Sequence, residues 1–166
     1  SHGQAYTEGR NAPTCIQCHA KKITFRPRDH ERVDTAQVKI AQEQVCVSCH
    51  VKKSPASETA PSSNFVLAYE QSVHGVALKH GNGKVANCVN CHGSHEMKKA
   101  SDPESRVNKR NVPHTCSQCH PAIAQVYGES IHGAAFAAGS NEAPVCTNCH
   151  GEHKILAPKD PSSPVS

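Results

Sequence analysis

Cysteine and histidine are the residues in this chain whose types and spacing could do chemistry. All ten cysteines fall into five C-x-x-C pairs, and histidine follows each pair at once: Cys15-Ile-Gln-Cys18-His19, Cys46-Val-Ser-Cys49-His50, Cys88-Val-Asn-Cys91-His92, Cys116-Ser-Gln-Cys119-His120 and Cys146-Thr-Asn-Cys149-His150. Histidine occupies 13 of 166 positions. Chance would place it after all five pairs only on the order of a few times in a million. Two thiols at this spacing can add across the vinyl groups of one haem while the adjoining imidazole reaches the iron, so attachment and proximal ligation are fixed together. A zinc ribbon uses such pairs two at a time, would strand one of the five, and gives no reason for the histidines. Redox dithiols or a framework of short disulfide loops explain the histidines no better.

The far side of each iron needs a second ligand. Eight histidines remain: His2, His30, His74, His80, His95, His114, His132 and His153. Five suffice for bis-histidine ligation throughout. Met97 is the only methionine, so at most one iron could carry a Met/His pair.

An internal repeat ranks the eight. A shift of 58 residues, the interval from Cys88 to Cys146, superimposes Tyr69 on Tyr127, Ser72 on Ser130, His74 on His132, Gly75 on Gly133, His92 on His150, His95 on His153 and Asp102-Pro103 on Asp160-Pro161 without a gap. Each copy reads Y-x-x-S-x-H-G, then C-x-N-C-H-G-x-H. The copies span residues 64–108 and 122–166, and residues 1–30 form an incomplete third in which His2-Gly3 precedes Cys15. There Lys22 stands where the trailing histidine would be, and His30 is the next histidine. The expected distal ligands are therefore His74, His95, His132 and His153, with His2 and His30 as further candidates. His80 and His114 match Ala138 and Ala56 and drop out.

Helices must position these groups. Asp34 to Val45 has a capping residue and apolar positions along one side, and it runs into the second motif. Pro121 to Ala138 has proline in its first turn, helical apolar spacing and Gly139 after its end. Its counterpart is Phe65 to Lys79. The S-x-H-G histidines would project from these two helices, with Tyr69 and Tyr127 as packing residues. Residues 52–63, rich in Pro and Ser, read as a surface loop, and 98–113 as an extended connector.

Composition agrees with a scaffold for cofactors. Apolar residues make up 36% and aromatics 4%, with no Trp, a poor supply for a self-made core. Five haems would allot about 33 residues to each, far below an ordinary domain, so porphyrins would supply most of the core. The formal charge of +4 would suggest nucleic acid. Ten haem propionates would take it to about −6 reduced or about −1 ferric, which removes that argument. Lys21, Lys22, Lys52, Lys53, Lys98 and Lys99 would then balance propionates or shape a docking face. No run approaches the roughly 18 apolar residues of a membrane span, and the expected state is a soluble chain or the mature form of an exported one.

With these motifs in place, the chain resembles the bacterial multihaem c-type cytochromes, especially small pentahaem proteins with paired C-x-x-C-H motifs. The resemblance covers Ser1 to about Val165. It implies a mainly α fold with much irregular coil, little or no β-sheet, and a core of stacked haems in one pentahaem unit, residues 1–166, or a portion of a longer polyhaem array. It also implies low-spin bis-histidine haem c, a periplasmic or extracellular location, and electron transfer in respiration. The partners implied are other redox proteins: multihaem cytochromes, a quinol dehydrogenase or a terminal reductase. His95 cannot reach the iron of its neighbour His92 from the other side, so it should bind a different haem and stitch two together. Two alternatives stand beside an electron carrier. One is a conductive filament in which a surplus histidine ligates across subunits. The other is a multihaem reductase, which needs an iron with an exchangeable position; no C-x-x-C-K variant marks one.

Overall fold

Asp34 starts the longest helix: its carboxylate accepts from the backbone N–H groups of Ala36 and Gln37, satisfying donors that the first turn cannot. The computed structural model describes residues 2–9, 12–19, 34–51 and 64–166. Their elements are α1 (His2–Thr7), α2 (Cys15–His19), α3 (Thr35–His50), α4 (Asn64–Glu70), α5 (Val73–Lys79), α6 (Cys88–His92), α7 (Val112–Ser117), α8 (Pro121–Glu129), α9 (Ile131–Ala137) and α10 (Cys146–His150). The fold is mainly helical with much coil, and the described residues contain no strand. The Pro/Ser-rich segment 52–63 and His30 lie outside the described residues.

The helix starting at Asp34 runs further than its apolar pattern predicts, through the whole second motif to His50. The long helices expected over 65–79 and 121–138 are each two helices, broken at Ser72 and Ser130. Both serines are extended (ψ 164° and 161°), and each side chain caps the following helix by accepting from the N–H of Gly75 or Gly133. The glycines make this corner possible: a Cβ would lie 2.2 Å from the Tyr69 carbonyl oxygen at Gly75 and 2.1 Å from that of Tyr127 at Gly133. Y-x-x-S-x-H-G is thus a corner motif, and it re-aims the histidine in the first turn of each second helix. Gly75→Ala should force backbone apart and cost about 1–3 kcal/mol, read as a lowered thermal midpoint of the haem-loaded protein.

Residues 98–113 are not extended. Backbone bonds run from Asp102 to Lys99, Ser105 to Asp102, Asn108 to Ser105 and Asn111 to Asn108, a chain of turns stepping by three. The tail repeats it, from Asp160 to Ala157, Ser163 to Asp160 and Ser166 to Ser163. Asp and Asn side chains accept from nearby backbone N–H groups at Glu104, Arg110 and Ser162, the local bonding that favours turns over strands. Lys98 is held by Asp102 and Glu104 of this ladder, so its charge is engaged there rather than turned outward for docking.

The buried apolar side chains among the described residues are Ala36, Leu78, Val112, Ala143 and Val145. These are few and small. Ile16, Ile123, Val126 and Ile131, by contrast, are 65% to 81% exposed.

Candidate haem sites

Four of the five C-x-x-C-H motifs lie wholly within a helix, whereas the fourth begins in α7 and leaves it after Ser117, so that Cys119 and His120 lie beyond the helix end. In the third motif Asn87 accepts from Val89 and Asn90, and the Asn90 side chain accepts from the Asn87 N–H at 3.0 Å. In the fifth, Asn148 accepts from the Val145 N–H at 2.9 Å. The asparagine inside C-x-N-C-H is therefore a cap that shapes the turn. The repeated C-x-N-C signal was visible in sequence, though its role was not. The tyrosines also do more than pack. The Tyr69 hydroxyl donates to the Ala86 carbonyl at 2.9 Å and the Tyr127 hydroxyl to the Pro144 carbonyl at 3.0 Å. Each pins a corner helix to the residue two places before a motif.

After the third and fifth motifs the chain turns through Gly93 (φ 79°) and Gly151 (φ 77°), left-handed conformations that glycine adopts at little cost. The turn leads His95 and His153 away from their own motifs. Arg106 donates to the Glu96 carboxylate at 2.8 Å, fastening the loop that carries His95 to the turn ladder.

The histidines meet in pairs. Ring centroids lie 6.3 Å apart for His2 and His50, 6.0 Å for His19 and His95, 6.1 Å for His74 and His120, and 5.9 Å for His92 and His153. Each pair joins one motif histidine to one of the candidate distal histidines. The ring planes are nearly parallel in two pairs, at 3° and 14°, and tilted in the others, at 36° and 45°.

This separation fits the cofactor. A ligating nitrogen sits about 2 Å from a first-row metal and the ring centre about 1 Å further back, so two imidazoles on opposite faces of one ion stand about 6 Å apart. Among the described residues no three His, Cys, Asp or Glu side chains converge as a protein-only metal cage would; a porphyrin would provide the remaining, equatorial ligands. The Nδ1 atom of His153 is buried without a hydrogen-bond partner, an uncompensated position that the polypeptide alone does not satisfy. Burial, and after it the facing imidazole, pulls His2, His74 and His92 below the ordinary histidine value. That favours the neutral ring, the form that ligates metal.

No disulfide joins any of the ten cysteines, which are exposed or half-buried. The Cys46 thiol lies beside that of Cys88, and the Cys116 thiol beside that of Cys146. Cys18 lies within electrostatic reach of Cys46 and Cys49, and Cys91 of Cys119. Consecutive motifs are thus neighbours in space, from the first to the fifth. The contact between the second and third is reinforced by the Asn87 side chain, which donates to the Lys39 carbonyl at 3.2 Å and to Gln42 at 2.9 Å on α3.

Of the remaining histidines, His80 and His114 are exposed. His132 is exposed and His150 half-buried, and neither has a second imidazole beside it among the described residues.

Comparison with known proteins points the same way. The chain is similar to a multihaem cytochrome. It is 25% identical over 122 residues to the multiheme cytochrome MtrA of Shewanella baltica (strain OS185), a stretch covering 64% of this chain and 31% of that protein. The chain therefore spans about a third of the length of the curated relative it matches. No family model matches, and no solved structure matches. In the described residues no helix is long and apolar enough to cross a membrane.

Proposed function

We propose that this chain is an electron carrier that holds five haems c and relays electrons between redox proteins on the exported side of the cell. The observation that carries the reading is the set of four imidazole pairs, each about 6 Å apart and each joining a C-x-x-C-H histidine to a histidine elsewhere in the chain. When bound, each haem iron supplies one-electron exchange between ferric and ferrous states. What the chain itself contributes is order and rigidity. Cys15 and Cys18, Cys46 and Cys49, Cys88 and Cys91, Cys116 and Cys119, and Cys146 and Cys149 fix each ring to its own turn. His19, His50, His92, His120 and His150 are the proximal ligands, and His95, His2, His153 and His74 reach the first four irons from the other side.

Every such second ligand comes from a different part of the sequence, so ligation cross-links segments that share few other contacts. The proximity of thiols in consecutive motifs supports an arrangement of the cofactors in sequence order, first to fifth, which would be the path of a wire. A rigid bis-imidazole set changes little on reduction, and the carrier needs no substrate pocket. The similarity to a multiheme cytochrome supports the same class of function. Partners of this chemistry are other multihaem cytochromes, a quinol dehydrogenase or a terminal reductase, and export-side haem attachment implies the periplasm or the cell surface.

A reductive titration of the haem-loaded protein should take up five electrons per chain, and the reduced protein should pass them on to a second multihaem cytochrome in stopped flow. Uptake of fewer than five electrons, or sustained turnover of nitrite or hydroxylamine, would contradict the reading.

A further inference from the structure

The corner formed by α4 and α5 reaches the third candidate haem site from both sides. On the motif side, the Tyr69 hydroxyl donates to the Ala86 carbonyl at 2.9 Å, two residues before the motif that supplies His92. On the far side, the Val73 N–H donates to the Ile155 carbonyl at 2.8 Å, two residues after His153. Phe65 stands one helical turn before Tyr69 and so on the same side of α4. Its ring packs against the His153 imidazole, with centroids 5.1 Å apart and planes tilted by 42°, a favourable separation for two rings. The corner is itself anchored, because Ser72 caps α5 and Leu78 on α5 is fully buried.

A ligating imidazole is usually held in one orientation by a hydrogen bond from its second nitrogen to a carbonyl, a carboxylate or water. His153 lacks this hold at Nδ1, which is buried and has no hydrogen-bond partner among the described residues. Its plane nonetheless lies within 14° of that of His92, with 5.9 Å between centroids. The contact with Phe65 stands where the hydrogen bond would be. It is particular to this copy of the repeat. Tyr127 makes the same kind of hydroxyl bond, to Pro144 at 3.0 Å, but Ile123 occupies the position of Phe65 and has no ring to present to an imidazole.

We propose that Phe65 is the positioning residue of the third haem: its ring fixes the plane of the His153 imidazole nearly parallel to that of His92. The inference rests on the haem-ligating reading above and adds to it what orients this ligand. The mutual angle of two axial imidazoles sets how the iron d orbitals split. Phe65 therefore acts on the electronic structure of one haem through a ligand, without touching the iron.

The test is low-temperature electron paramagnetic resonance of the ferric, haem-loaded protein, with five covalent haems confirmed by intact mass. Nearly parallel axial imidazoles give a rhombic low-spin signal, and planes turned toward the perpendicular give one with a larger maximum g value. His153→Ala identifies the signal of the third haem: one low-spin signal should be lost, and the reduced variant should bind one more carbon monoxide per chain than the parent. If it does neither, the ligand pair itself is overturned, and the proposal with it. Phe65→Ala should keep five haems and the parent's carbon monoxide binding, yet move that one signal to a larger maximum g value and leave the others in place. Phe65→Tyr, which retains the ring, should retain the parent signal. Phe65→Leu keeps apolar bulk without a ring and should shift the signal as Phe65→Ala does; it decides the outcome if the alanine variant fails to load five haems. An unmoved third-haem signal, a shift of all signals together, or a tyrosine variant that shifts as far as the alanine variant overturns the proposal.

Discussion

Replacing all ten cysteines by alanine should abolish cooperative folding, leaving a chain with no thermal transition by circular dichroism. The buried apolar residues, Ala36, Leu78, Val112, Ala143 and Val145, are too few to offset the conformational entropy lost on folding. The helices do not stand alone either. Most are a turn or two long, and α1, α2, α4 and α10 bury no residue of their own; helices this short are marginal in water without tertiary packing. The large apolar side chains that the polypeptide leaves uncovered, Ile16 inside the first motif and Phe65 against the His153 ring among them, are the surface that porphyrin faces would bury. A cooperative transition in the haem-free chain would show that the polypeptide makes its own core.

His95→Ala should have the largest effect of any single histidine substitution outside the motifs. His95 is the imidazole that faces His19 at 6.0 Å with nearly parallel planes. Because α2 buries no residue of its own, ligation of the proposed first haem would tie residues 12–19 to the third-motif region. The variant should keep five covalent haems, since no cysteine changes, yet bind one more carbon monoxide per chain than the parent when reduced. Limited proteolysis should also cut it readily within residues 12–19. His80→Ala, at an exposed position, is the control and should change neither readout. Unaltered carbon monoxide binding in His95→Ala would mean that another histidine holds that iron.

The attachment chemistry was legible in the sequence because it is local: two thiols and an imidazole within five residues define a site wherever the chain goes. The 58-residue repeat singled out His74, His95 and His153, each of which faces a motif histidine, but not their pairing, and it also singled out His132, which faces none among the described residues. Which imidazole faces which motif depends on how distant segments pack, and nothing in the neighbourhood of His153 names His92 as its partner. His95 faces His19 rather than its neighbour His92, and Gly93 turns the chain between them. The helix breaks at Ser72 and Ser130 were hidden because apolar spacing continues through them. The decisive feature is a serine cap followed by a glycine pressed on a tyrosine carbonyl, which is a steric relation rather than a periodic one. The hydroxyl bonds from Tyr69 to Ala86 and from Tyr127 to Pro144 were hidden for a similar reason: a tyrosine at helical spacing reads as packing until its acceptor is seen. The turn ladder over 98–113 was missed because its prolines and polar residues suit extended chain and turns alike. His30 lies outside the described residues and keeps its place as a candidate from sequence alone.

The central claim is that the five C-x-x-C-H motifs each hold a covalent haem. Intact mass of the purified protein, read with its alkaline pyridine absorption spectrum, tests it most directly. The prediction is a mass increment of five haems, with a spectrum of haems whose vinyl groups have both been converted to thioethers. A lower covalent count, or ten thiols still free to react with an alkylating reagent, would contradict it.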